Sequence, residues 1–218
     1  MHFFFLLCLP AIVCCGLVVT PVEVSTARLD SETLAKAAET LKSDGFVVLS
    51  AKGGLIQPED LIRRGAEQAR EDLMHLRKRL ESVGINADDD SFSFSEVVHR
   101  SRRRYDLSID LRRTSPDAPW HELNAALEHW ATPVVRAAGF SDLEQAVAGT
   151  LTSLPGAVAQ RFHTDGMLPS TFNVLLPLVD VGMLGTGTEF WKGSHRDPRV
   201  PELQRSGQLA VADAALVP

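Results

Sequence analysis

"RFHTDG", residues 161–166, sets a histidine and an aspartate one residue apart. If the stretch is a strand, His163 and Asp165 project from one face and Thr164 from the other, because strand side chains alternate. One imidazole nitrogen and one carboxylate oxygen on a shared face can approach a single metal ion. With seven His and 15 Asp in 218 residues, chance alone supplies about half of one such pair. The spacing therefore needs support from its surroundings.

Those surroundings read as sheet. "AVAGTLTSLPG" (146–156), "TFNVLLPLVDV" (171–181) and "TGTEFWKGS" (186–194) are short apolar or alternating runs punctuated by Gly and Pro. That is the texture of a β-sandwich or jelly roll. Upstream the chain reads as helix. Asp30 or Ser31 is an N-cap, Leu34, Ala37, Ala38 and Leu41 recur at helical spacing, and Gly45 supplies the stop before a short buried strand, "FVVLS" (46–50). A longer helix is expected from Pro58 to Val83, with Leu61, Ile62, Ala66, Ala69, Leu73, Leu76 and Leu80 as its apolar stripe. "NADDDSFSFSE" (86–96) reads as a polar loop, Tyr105–Leu111 as a strand, and a third helix has Pro119 near its start and Gly139 past its end. The expected fold is α+β, with helices first and sheet second.

Composition narrows the functional classes. A 44% hydrophobic, 23% charged chain suits one globular domain, and a net charge of -6 argues against nucleic acid as a partner. The N-terminus stands apart. "FFFLLCLPAIVCCGLVV" (3–19) carries no charge and is broken by Pro10 and Gly16, which fits a secretory h-region better than a membrane span. Ser25 and Ala27 offer small residues for cleavage after Ala27. Residues 1–27 are thus expected to be a targeting segment for the secretory pathway or the cell exterior, and residues 28–218 a domain that does not span a membrane. Cys8, Cys14 and Cys15 are the only cysteines, so that mature domain would contain no thiol ligand, thiol nucleophile or disulfide.

Four blocks, "LKSDGFVVLS" (41–50), "LTSLPGAVAQRFHTDG" (151–166), "FNVLLPLVDV" (172–181) and "GTEFWKGSHR" (187–196), resemble in this order the phytanoyl-CoA dioxygenase family of Fe(II)/2-oxoglutarate oxygenases. The likeness is sharpest over residues 147–196. It implies a double-stranded β-helix (jelly roll) following N-terminal helices, Fe(II) as the metal, 2-oxoglutarate as cosubstrate, and O₂ and a small organic or acyl molecule as substrates. It makes His163 and Asp165 the first two ligands of a 2-His-1-carboxylate triad, whose open positions admit cosubstrate and O₂. Thr171 and Asn173 would line the pocket from the next strand and hydrogen-bond the cosubstrate or metal-bound water, the alternative being ordinary strand polarity. Lys192 stands where the family often has Pro before Gly-Ser-His, and Gly187 where Pro is frequent.

Family members carry a distal His and a carboxylate-binding Arg several dozen residues beyond this hairpin, and neither is identified here. The barrel is accordingly expected to be incomplete at its C-terminal side, and the 218-residue chain a fragment or inactive. The alternative is a non-catalytic jelly-roll binding protein that retains the HxD strand. His195 lies in the family's turn and not on its ligand strand, so it is read as a loop residue. His75, His121 and His129 are read as surface or packing histidines, and His99 as part of the basic run. That run, "HRSRRR" (99–104), with Arg112 and Arg113, reads as a solvated basic face before it reads as a grip for an anionic substrate. Arg100-Ser101-Arg102-Arg103 also has the form of a dibasic processing site.

Overall fold

A computed structural model of the chain describes residues 4–8, 12–14, 23–25, 30–50, 58–141, 143, 148–157, 163–164, 172–179 and 188–202. It is an α+β protein that divides into two compact units. One comprises residues 1–56, 127–143 and 159–218, the other residues 57–126 and 144–158.

The first unit is built around a strand whose side chains are all apolar up to its last residue. Phe46, Val47, Val48 and Leu49 of β4 (Phe46–Ser50) are each buried, as a strand inside a sheet with both faces covered requires. β1 (Phe4–Cys8) runs antiparallel to β4 on one side, and β3 (Glu23–Ser25) runs parallel to it on the other. β9 (Asn173–Leu175) pairs with the far edge of β1, giving the order β3-β4-β1-β9. A second sheet is formed by β10 (Glu189–Phe190), β2 (Ile12–Cys14) and β8 (His163–Thr164), in that order and antiparallel. The apolar run read from sequence as a targeting segment thus supplies strands to both sheets. Its Phe, Ile and Val residues are of the kinds that pack well on a pleated surface.

α1 (Ser31–Asp44) has the ends the sequence announces. The Asp30 side chain accepts a hydrogen bond from the Thr33 amide at 2.8 Å, and Gly45 adopts φ 85° with its amide bonded to the Leu41 carbonyl. Ala37, Ala38 and Leu41 form its buried stripe. Phe46 stacks on Phe190 with ring centroids 5.1 Å apart.

In the second unit α2 (Pro58–Ser82) buries Leu61, Ile62, Leu73 and Leu80 and turns its charges outward. An antiparallel sheet, β5 (Val97–Ser101), β6 (Arg104–Ile109) and β7 (Ala148–Ser153), supplies the other wall of the core. Val97 lies opposite Leu107 and His99 opposite Tyr105, so inward residues meet in cross-strand pairs. Leu73, Leu80, Ala87, Phe92, Val97, Tyr105 and Leu107 make one buried cluster. α3 (Pro119–Ala137) begins in this unit at Pro119, while its residues from Leu127 on, and Gly139 past its end at φ 97°, belong to the first unit. Among the described residues no helix is long and apolar enough to cross a membrane.

Two sequence expectations are corrected. The sheet does not simply follow the helices, because β5 and β6 precede α3. The basic run, which precedes the strand expected at Tyr105–Leu111, is itself part of a strand pair. Residues 99–104 are the closing end of a hairpin, turning at Arg102 and Arg103 between the paired Ser101 and Arg104. Arg103 sits at φ 59°, a position where Gly or Asn is the usual signal, so the turn left no mark in the sequence.

Candidate metal centre

His163 lies on β8, opposite Val13 in the antiparallel ladder with β2, and its side chain is partly buried. Asp165 and Thr171 fall outside the described residues. Asn173, also partly buried, begins β9 opposite Cys8 of β1. His163 and Asn173 therefore belong to different sheets of the same unit. Strand alternation establishes which neighbours share a face. It does not say which sheet a later strand joins.

The remaining described histidines have other occupations. His75 is exposed on α2. His121 Nε2 is 3.4 Å from the Thr114 carbonyl oxygen, and His129 is exposed and meets the Trp130 ring edge-on. His99 lies between aromatic rings, 5.1 Å from Phe92 and 5.6 Å from Tyr105 by ring centroids. His75, His121 and His129 thus have surface or packing roles, as expected, whereas His99, read as part of the basic run, is a packing residue between two rings.

His195 is the histidine with the most specific setting. It sits in a 3-10 turn, Ser194–Arg196, that follows β10 and docks on the C-terminal end of α1. Its Nε2 lies 3.0 Å from the Lys42 carbonyl oxygen, and since a carbonyl can only accept, Nε2 carries the proton. The ring is thereby committed to α1, which agrees with its reading as a loop residue. Burial holds its imidazolium below the ordinary value of 6.5, against the pull of the Lys42 carbonyl.

The basic run is matched locally by acceptors. Arg100 pairs with Asp106 at 2.7 Å, Arg102 with Asp89 at 3.5 Å, and Arg103 donates to the Pro155 carbonyl at 2.8 Å. Arg112 and Arg113 share Asp110. Arg100, Arg102, Arg112 and Arg113 are thus exposed cations answered by neighbouring carboxylates, whereas His99 is packed between rings and Arg104 Nε is buried.

A buried polar network went unread in the sequence. The Tyr105 hydroxyl lies 2.8 Å from both the Ala87 carbonyl and Asp88 Oδ1, while Arg77 holds both oxygens of Asp88 at 2.9 and 3.1 Å. Burial, and then the Asp88 carboxylate, push the Tyr105 phenol up to about 12. Arg77, followed by Tyr105, holds the Asp88 carboxyl below its usual range. The network pins the "NADDD" loop to the sheet; its members are neutral or firmly ionised near pH 7, which suits a structural fastener.

Among the described residues no group of three His, Cys, Asp or Glu side chains is placed to share a metal ion. No family model, curated protein or solved structure matches the chain.

Proposed function

We propose that the chain is related to the non-haem Fe(II)/2-oxoglutarate-dependent oxygenases similar to phytanoyl-CoA dioxygenases, with a jelly-roll barrel that carries His163 and Asp165 as iron ligands. One observation carries the reading: His163 and the Glu189–Phe190 strand lie in the same antiparallel three-stranded sheet. They come from two of the blocks that resemble the family, and the folded chain brings them into one sheet with β2 between them. An imidazole nitrogen and a carboxylate oxygen are also a donor set that suits Fe(II). His195, engaged with Lys42, does not add to it.

Iron and 2-oxoglutarate, when bound, supply the oxidising power for O₂-dependent hydroxylation of a small organic or acyl substrate. The chain's share is placement. His163 and Asp165 hold the metal, and Thr171 and Asn173 offer hydrogen bonds to the cosubstrate. The composition of residues 3–19 supports entry into the secretory pathway, and the metal-site reading then requires that β2 (Ile12–Cys14), the middle strand of the sheet that holds His163, stay attached. Two protein ligands grip a divalent ion weakly and admit Mn²⁺ or Zn²⁺ in competition, so weak metal affinity and little turnover are expected of these 218 residues.

Mn²⁺ titration followed by electron paramagnetic resonance tests the assignment. His163→Ala and Asp165→Ala should each weaken binding by about tenfold or more, near 1.4 kcal/mol, with circular dichroism confirming that the variants fold. Equal affinity in wild type and both variants would remove the site. Metal binding whose Mn²⁺ resonance is unchanged by added 2-oxoglutarate would favour the alternative, a jelly-roll binding protein without catalysis.

A further inference from the structure

The last carbonyls of a helix have no partner inside it and must find donors elsewhere. In α1 those donors arrive from a segment some 150 residues later. Gly193 donates its amide to the Asp44 carbonyl at 2.7 Å, His195 donates Nε2–H to the Lys42 carbonyl, and Arg196 donates to the Ser43 carbonyl. Lys192 pairs with the Asp44 carboxylate at 2.9 Å. The Leu41 carbonyl is taken by Gly45. Four successive acceptors are thus satisfied, and Phe190 adds its stack on Phe46 just beyond.

The His195 ring lies directly against Gly45, where a β-carbon would collide with Nδ1. That nitrogen is buried and has no hydrogen-bond partner among the described residues. As a bare lone pair facing a Cα it is tolerable. As an N–H it would be a desolvated donor with nothing to receive it, on a ring that has just gained a charge.

We propose that His195 is an acid-released latch: its neutral ring locks the 192–196 turn onto the end of α1, and a proton taken from water at Nδ1 frees the turn. The ionisable neighbours work in both directions. On α1, Asp44 favours the imidazolium but is already paired with Lys192, and Lys42 contributes its carbonyl; on the turn, Arg196 opposes the added charge. Asp197 is occupied by Arg199 at 2.7 Å. For a group whose folded pKa lies below its unfolded one, the docking energy is fully present above the unfolded value near 6.5 and is lost as pH falls through the folded value.

Hydrogen exchange of the Gly193 amide on the full chain, expressed as a protection factor between pH 7.5 and 5, reads the latch directly. Protection should fall with acid, approaching about tenfold per pH unit, the limit for one linked proton. His195→Gln can still donate to the Lys42 carbonyl but gains no proton, so its protection should stay flat. Lys192→Met, which removes the Asp44 pair and keeps the imidazole, should retain the slope. A flat wild-type profile, an unchanged slope in His195→Gln, or a slope lost in Lys192→Met would each overturn the proposal. Should His195→Gln fail to dock, the ¹⁵N titration of His195 in the wild type decides: a midpoint at or above that of free imidazole overturns it.

Discussion

Gly45→Ala should destabilise the first unit by roughly 3 kcal/mol, visible as a lower midpoint in denaturant unfolding. Two costs combine. Gly45 holds φ 85°, and a β-carbon in the left-handed region costs about 1–2 kcal/mol. The same β-carbon collides with His195 Nδ1, so the ring must leave, and its hydrogen bond to Lys42 goes with it at about 1 kcal/mol. A double-mutant cycle separates the two. With His195→Ala already in place, Gly45→Ala should cost about 1 kcal/mol less, because only backbone strain is left. Strict additivity would mean that the ring and the glycine do not meet.

Tyr105→Ala should cost the second unit about 3–5 kcal/mol, the range for removing a large buried ring. Tyr105 is 0% exposed and sits at the meeting point of α2 residues with β5 and β6. Tyr105→Phe isolates the hydroxyl and should cost only about 1–2 kcal/mol, since the ring stays and the buried Ala87 carbonyl loses its donor. If the two variants melt together, packing is not what the ring contributes. Acid should erode the same region. Asp88 titrates below its ordinary value of 3.8 because Arg77 and Tyr105 hold its charged form. Its contribution is therefore intact above that value and lost as pH falls through the lower folded-state pKa.

Local chemistry made parts of this architecture legible and hid others. α1 announced itself at both ends because Asp30 and Gly45 meet backbone requirements that few residues can. α2 followed from an apolar stripe sustained from Leu61 to Leu80. β4 was legible as an unbroken apolar run. The β5–β6 hairpin was not, because a pair of arginines makes its turn where chemistry would favour Asn-Gly. The placement of His163 on a strand was readable from alternation, but its separation from Asn173 into another sheet was not, since pairing between distant strands has no local signature. His195 could be read as a turn residue. Its hold on α1 could not, because the partners are Lys42 and Gly45, and no pattern within either segment refers to the other.

The hairpin at Arg102 and Arg103 bears on how the chain would meet a maturation protease. Such enzymes thread their substrate through a cleft as an extended ribbon, several residues on each side of the scissile bond. Here Ser101 is bonded across to Arg104, and Arg103 is bent to φ 59° with its guanidinium anchored on Pro155. The arginines that look like a cutting signal in the linear sequence are folded into a bend too tight to thread. Scission there would first have to unzip β5 from β6, so a nick at this point would record that the domain had opened, not that it had matured.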